Sequence, residues 1–426
     1  MVRSRFAPSL IMATPDTSGA DARAAAEWAA RNSYGKLIAQ LTARCGSLSL
    51  AEDALADAFA IALANWPRQG VPDAPEAWLM KAANRKIIDA VRRIQTASRH
   101  AEAELSFTQE ASLVDGGDVP GGDRRLELMF LCAHPAIPES AHTALMLQAM
   151  LGFTAEEIAA ATLETPSTVS QRLTRAKRKL SDNGLPFALP PPHILNERTA
   201  AVQRAIYAAY TGGWEDVPGG EHPVTGLARE AEWLARCLVR LAPENAEAKG
   251  LLALILYCES RRAARRDTEG RYIPLTEQQT ALWGEPRITE ATALLTEAGK
   301  MQAPGRFQLE AAIQAVHTAR RQTGRTDWAM ICKLYERLQT FTPSIGARIG
   351  HAAALLQRGQ TDEAVHLLDE LPQNRISQYA PYWAVRGHAM KMTGNTEEAG
   401  ESLRHAASLS RDTATREWLL AQAAEI

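Results

Sequence analysis

The chain has 426 residues, 46% of them hydrophobic, enough for the cores of two or three domains. Its formal net charge of −2 excludes a protein coated in basic residues, so any nucleic-acid surface must be local and offset by acidic regions elsewhere. Cys45, Cys132, Cys237, Cys258 and Cys332 are scattered without CxxC or His-paired spacing, which supports neither a zinc site nor a disulfide framework and fits a reducing compartment, the cytoplasm.

Residues 1–20 carry Arg3 and Arg5, but their apolar run is about five residues, short of the roughly seven to fifteen of a secretory core, so a disordered tail is expected. No window approaches the ~18 apolar residues of a membrane span. β-branched alternation is rare while Ala, Leu, Glu, Arg and Gln fill helical periods, which predicts an all-α protein. Ser49 and Glu52 have capping-box spacing and predict a helix with Leu55, Phe59, Ala62, Leu63 and Trp66 inward and Glu52, Asp53 and Asp57 on its other side. Beyond the loop PRQGVPDAP at 67–75, a second helix turns Leu79, Ala83, Ile87, Val91 and Ile94 inward. Lys81, Asn84, Arg85, Lys86, Arg92 and Arg93 face outward. On charge alone this pair reads equally well as a solvated helical hairpin in which Asp89 pairs with a neighbouring arginine.

A flexible joint, DGGDVPGG at 115–122, separates this block from the next. Within residues 154–180, TAEEIAAATLETPSTVSQRLTRAKRKL, two helices meet at a tight turn. Thr154 and Glu157 have capping-box spacing, and Thr165 caps the second helix with Pro166 at its first position. Val169, Leu173, Ala176 and Leu180 repeat at helical spacing and face a core. The other face presents Ser167, Thr168, Ser170, Gln171, Arg172, Thr174 and Arg175, and Lys177, Arg178 and Lys179 extend its positive charge. Such a helix suits a major groove, with early residues reading base edges and later ones holding phosphates.

A stiffer joint, LPFALPPPH at 185–193, leads into helical hairpins from residue 196 onward. AALLQRGQTDEAVHLLDEL around Gly359 matches HAMKMTGNTEEAGESLRHA around Gly394, an offset of 35 residues that aligns Thr361 with Thr396, Glu363 with Glu398 and Ala364 with Ala399. That period is close to the ~34 residues of tetratricopeptide repeats, whose stacked pairs form a concave binding surface. Trp283, His317 and His351 read as packed side chains. No paired carboxylates, nucleophile elbow, phosphate loop or metal cluster points to an enzyme or a cofactor.

Two segments carry a resemblance. AEDALADAF (51–59) followed by AWLMKAANRKIIDAVRR (77–93) resembles region two of bacterial extracytoplasmic-function sigma factors, and residues 125–180 resemble region four. FLCAHPAI and QRLTRAKRK are similar to the subgroup with a large C-terminal extension, as is GRFQLEAAIQAVHTAR (305–320). The resemblance implies two small helical domains, 21–100 and 124–184, joined by a linker at 101–123. A Pro-rich linker at 185–195 and a tetratricopeptide-like regulatory domain at 196–426 follow. It also implies core RNA polymerase and promoter DNA as partners, with Glu52, Asp53 and Asp57 on the polymerase-docking helix. Asn84, Arg85, Arg92 and Arg93, with Asp89 beside them, would contact the melted promoter element, and loop 67–75 would accept an extruded base, with Trp78 packed in the core. Ser167, Thr168, Ser170, Gln171, Arg172, Arg175, Lys177, Arg178 and Lys179 would contact the more distant element. The extension is expected to regulate the sigma domains in cis. This chain has YAAYTGGWED at 207–216 where the subgroup usually carries Asn-Glu-Gly-Tyr. Without the region-two segment, a stand-alone helix-turn-helix regulator would explain the rest.

Overall fold

The structure, a computed structural model, describes residues 17–100, 123–162, 164–212 and 227–426. The expected tail up to residue 16, the linker 101–122 and the end of the 207–216 segment lie outside them. Among the described residues the fold is all-α, with one isolated bridge between Arg266 and Tyr272 and no strand. No described helix is long and apolar enough to cross a membrane.

The helices fall into two compact units. The first contains α1 (Thr17–Cys45), α2 (Leu48–Gln69), α3 (Pro75–His100), α4 (Arg125–Cys132), the last part of α5 (Glu139–Leu151) and Gln171–Ala188. Helices α1, α2 and α3 pack on one another and α4 packs on α1. Leu37, Ile38, Leu41, Leu55, Ala58, Trp66 and Leu79 fill this core. Trp78 meets Trp66 edge to face at 5.5 Å, so it packs as expected.

Several local expectations need correction. The cap of α2 is Ser47, whose hydroxyl accepts from the Leu50 amide, so the helix starts before Ser49 and Ser49 with Glu52 forms no capping box. Leu63 is 48% exposed, and the buried stripe runs through Ala51, Ala54, Leu55, Ala58, Ala62 and Trp66. With Ala62 at the centre of that face, Leu63 stands 100° round the helix. Pro67 lies in the last turn of α2, which ends at Gly70 with φ 85°, so the loop before α3 is shorter than 67–75.

The second unit contains Glu139–Ala144, Ala155–Ser170 and Leu189–Ile426. It includes α6 (Ala155–Thr162), the first turn of α7 (Pro166–Asn183), α8 (Pro192–Gly212), α9 (Leu227–Leu241), α10 (Ala246–Ser260), α11 (Glu285–Lys300) and α12 (Arg306–Thr323). After these come α13 (Trp328–Phe341), α14 (Ile345–Gln357), α15 (Thr361–Asp369), α16 (Gln373–Ile376), α17 (Ala380–Thr393), α18 (Thr396–Leu409) and α19 (Thr413–Ala424). Apolar almost all round, α10 is enclosed by α8, α9, α11 and α12. At Gly250 a β-carbon would lie 2.7 Å from the Gln308 amide nitrogen, so the closeness of α10 to α12 depends on glycine.

The 35-residue sequence match corresponds to two hairpins, α14–α15 and α17–α18. Gly359 and Gly394 close the first helix of each in the left-handed region, φ 75° and 81°, and Ala364 and Ala399 are fully buried in the second. A β-carbon at Gly387 would stand 2.7 Å from Leu403 Cγ, so α17 and α18 touch through a small residue. Trp283, His317 and His351 are all buried.

Candidate nucleic-acid interface

The turn between α6 and α7 is built as the sequence predicts. Thr165 accepts the Thr168 amide through its hydroxyl at 3.4 Å and the Val169 amide through its carbonyl at 3.1 Å, and Pro166 opens α7. Val169, Leu173, Ala176 and Leu180 are buried, which turns the remaining positions outward. Ser167, Ser170, Gln171, Arg175, Arg178 and Lys179 are exposed, whereas Thr168, Arg172 and Lys177 are half-buried. Arg178 has one exposed i,i+4 partner, Asp182, at 3.7 Å, a pair that water and salt weaken.

In α3, Leu79, Ala83 and Ile87 are buried, and Arg85, Arg92 and Arg93 are exposed, with Asn84 half-buried. Arg93 Nε donates to the Asp89 backbone carbonyl, and Lys86 pairs with Asp57 of α2 at 3.1 Å. The basic face of α3 and the acidic face of α2 are thus joined at one edge.

The three acids of α2 have different surroundings. Asp53 is exposed and has no ion pair among the described residues, and Asp57 pairs with Lys86. Glu52 forms an ion pair with Lys177 of α7 at 2.7 Å, with side-chain exposures of 13% and 24%. Its other oxygen, Oε1, is buried without a hydrogen-bond partner. Burial raises the Glu52 carboxyl above its ordinary range, Lys177 opposes that shift, and Asp53 adds to it. Residues expected at separate interfaces therefore meet here. A sequence separation of this size carries no local signal for the pairing, but Glu52 does lie at the margin of the buried stripe, one turn before Leu55 and Phe59.

A second connection was equally unreadable. In the second unit α6 packs against α8, and Arg204 of α8 donates to Glu139 at 2.8 Å. Among the described residues no group of His, Cys, Asp and Glu could hold a metal ion.

Residues 31–96 match the family described as Sigma-70 region 2, and residues 127–180 match Sigma-70, region 4. Residues 198–299 match a Family of unknown function (DUF6596). The Rhizobium meliloti (strain 1021) protein described as "Uncharacterized protein R00370" is 35% identical over 380 residues, covering 88% of this chain and 90% of its own. No solved structure matches. Two sigma regions in order, carried on the acidic α2, the basic α3 and the capped α7, make this a sigma factor with core RNA polymerase and promoter DNA as its partners. The chain is a sigma-70 family factor of the extracytoplasmic-function type, its regions two and four followed by a helical C-terminal region that contains the matched family of unknown function.

Proposed function

We propose that the chain directs transcription from a specific class of promoters in the cytoplasm and that its C-terminal helices regulate it in cis. Asp53, Glu52 and Asp57 dock α2 on polymerase. Asn84, Arg85, Arg92 and Arg93 contact the melted element, and the outward face of α7 reads the distant one. The hairpins α14–α15 and α17–α18 are tetratricopeptide-like units that offer a surface to a peptide or a neighbouring domain. The observation that carries cis regulation is the packing of α6, the first helix of the helix-turn-helix, on α8, with Arg204 paired to Glu139. A regulator seated on that helix can bias how α7 is presented.

Purified chain added to core polymerase is expected to give transcription from a cognate promoter, and failure to bind core would end the sigma reading. Removal of residues 196–426 is expected to change that activity while the first two domains stay folded. Unchanged activity would refute cis regulation.

For base reading, Arg175→Ala is expected to weaken promoter binding by ~1–3 kcal/mol and relax preference at one base pair, as loss of a bidentate contact does. Lys179→Ala should instead reduce the salt slope by ~1 and leave the sequence profile in place. Binding titrations over a salt series on matched and mutated promoters separate the two, and identical profiles would remove the base-reading role.

A further inference from the structure

We propose that the second unit carries a binding site for a small oxyanion, a carboxylate or phosphate group, held by Arg261, Arg320 and Trp283. Arg261 and Trp283 lie within the 198–299 match and Arg320 lies beyond it, so the site belongs to the C-terminal helices and stands independently of the sigma reading.

Three segments converge there. Arg261 follows the last residue of α10, and Trp283 follows a single 3-10 turn, Thr280–Leu282. The Gly284 amide donates to the Ser260 carbonyl at 2.7 Å, which ties the chain neighbours of Trp283 and Arg261 together. On α12, Gln314, His317 and Arg320 recur every three residues, so each borders the next on the helix surface. At one end of that row Arg261 Nη2 donates to Gln314, and at the other the Arg320 guanidinium lies 5.0 Å from the Trp283 ring centre. His317 sits between them.

The charges in this row have one sign. The adjacent Arg262 and Arg321 pair with Glu259 and Glu285, but among the described residues neither Arg261 nor Arg320 pairs with an acid. Arg320 donates only to neutral carbonyls, those of Thr276 and Gln278. Arg261 Nη1 and Trp283 Nε1 are buried with no acceptor, in residues 5% and 2% exposed. Burial and then Arg261 lower the pKa of Arg320, and burial and then both guanidinium groups lower that of His317, so the two cations act on one space. A buried cation with an unmet donor is costly unless an opposite charge meets it.

The donor set selects the ligand. A guanidinium presents a planar fork that matches two oxygens of a carboxylate or phosphate, and the indole N–H adds one more donor beside it. An anion bound here bridges the end of α10, the turn before Trp283 and α12. Arg320 is half-buried while Arg261, Trp283 and His317 are buried, so the group enters along Arg320. A free phosphate ion and a carboxylate share this chemistry.

The test uses the full chain with its tryptophan indoles labelled with nitrogen-15, and the spectrum of Trp283→Phe identifies the Trp283 Nε1–H resonance. Inorganic phosphate and acetate are titrated separately at constant ionic strength set with sodium chloride. At least one of them is expected to shift that resonance saturably and to slow hydrogen exchange over α12. Phosphate alone doing so identifies a phosphoryl ligand, and acetate alone a carboxylate. Trp283→Phe keeps a ring beneath Arg320 and loses one hydrogen bond to a charged group, so it should bind that anion about tenfold or more weakly. A resonance that neither anion moves overturns the site, since water then meets both donors. Equal binding by the native and Trp283→Phe chains overturns it too, because the anion then sits elsewhere. If Trp283→Phe misfolds, Arg320→Gln takes its place in calorimetric titration of the same anions: a loss of affinity of about tenfold or more is expected, and unchanged affinity overturns the site.

Discussion

Replacement of Glu247 by leucine is expected to lower the stability of the C-terminal helices by roughly 2–5 kcal/mol, because it leaves partly buried helix-terminal donors without an acceptor. Helix α12 has no cap of its own: Gly305 precedes it and offers no side chain. The carboxylate of Glu247, on α10, takes that role from outside and accepts the Phe307 amide at 2.9 Å and the Gln308 amide at 3.1 Å. It also accepts from Gln308 Nε2 at 3.1 Å, and Gln308 is buried. A negative charge at a helix N-terminus is further favoured by the helix dipole. Glycine at 305 makes room for it, since a β-carbon there would stand 2.4 Å from Glu247 Cδ. Glu247→Gln keeps one acceptor oxygen but turns an NH2 donor towards one of the two backbone N–H groups, so its cost should be intermediate, about 1–3 kcal/mol. Peptide-level hydrogen exchange over α12 in the full chain measures both variants. A loss under about 0.5 kcal/mol for the leucine variant would mean that water replaces the carboxylate without cost.

The same contact explains part of what the sequence conveys and part of what it withholds. GRFQLEAAIQAVHTAR is recognisable as a word, but its meaning lies in partners distant in the chain: Glu247 for Gly305, Phe307 and Gln308, Arg261 for Gln314, and Trp283 for Arg320. Helix α7 is readable because its capping threonine, opening proline and apolar repeat all act within a few residues, and each of those local rules holds in the structure. The first turn of α2 misleads because Ser47 and Ser49 both suit a cap, and only the Leu50 amide distinguishes them. The stripe of α2 is misjudged at Leu63 because hydrophobicity outranks alanine in a sequence reading, whereas close helix packing favours Ala58 and Ala62 at the contact.

The outward residues of α3 and α7 show where that limit bears on function. Helical periodicity assigns Arg85, Arg92, Arg93, Arg175 and Lys179 to solvent, and they are exposed. It assigns Glu52 and Lys177 to solvent as well, and these two bury each other. A charge at the margin of an apolar stripe can face either environment, and the outcome depends on whether an opposite charge from a distant helix arrives to meet it.

Acidification from pH 7 to pH 5 is expected to cost the native C-terminal helices about 2 kcal/mol more than it costs a His317→Phe variant. His317 is buried on α12, its ring edge-on to Trp328 at 5.3 Å. Burial, and then the guanidinium groups of Arg261 and Arg320, lower its pKa to about 3 from 6.5. Both cations are held in place. Arg261 is buried and donates to Gln314, and Arg320 donates to the Thr276 and Gln278 carbonyls while stacking on Trp283 at 5.0 Å. Above pH 6.5 the ring is neutral in both folded and unfolded chains, and His317 adds no pH dependence. As pH falls below 6.5 the unfolded chain takes up a proton that the folded chain refuses, so stability drops. The drop continues until about pH 3, where the folded ring also protonates. Phenylalanine keeps the ring contact with Trp328 and cannot titrate, so the difference between the two chains isolates this one group from the carboxylates that titrate in both. Exchange protection of α12, corrected for intrinsic rates at each pH, gives the comparison. Parallel losses in the two proteins would show that the folded ring accepts a proton near its ordinary pKa, and that water reaches the space between Arg261, Arg320 and Trp328.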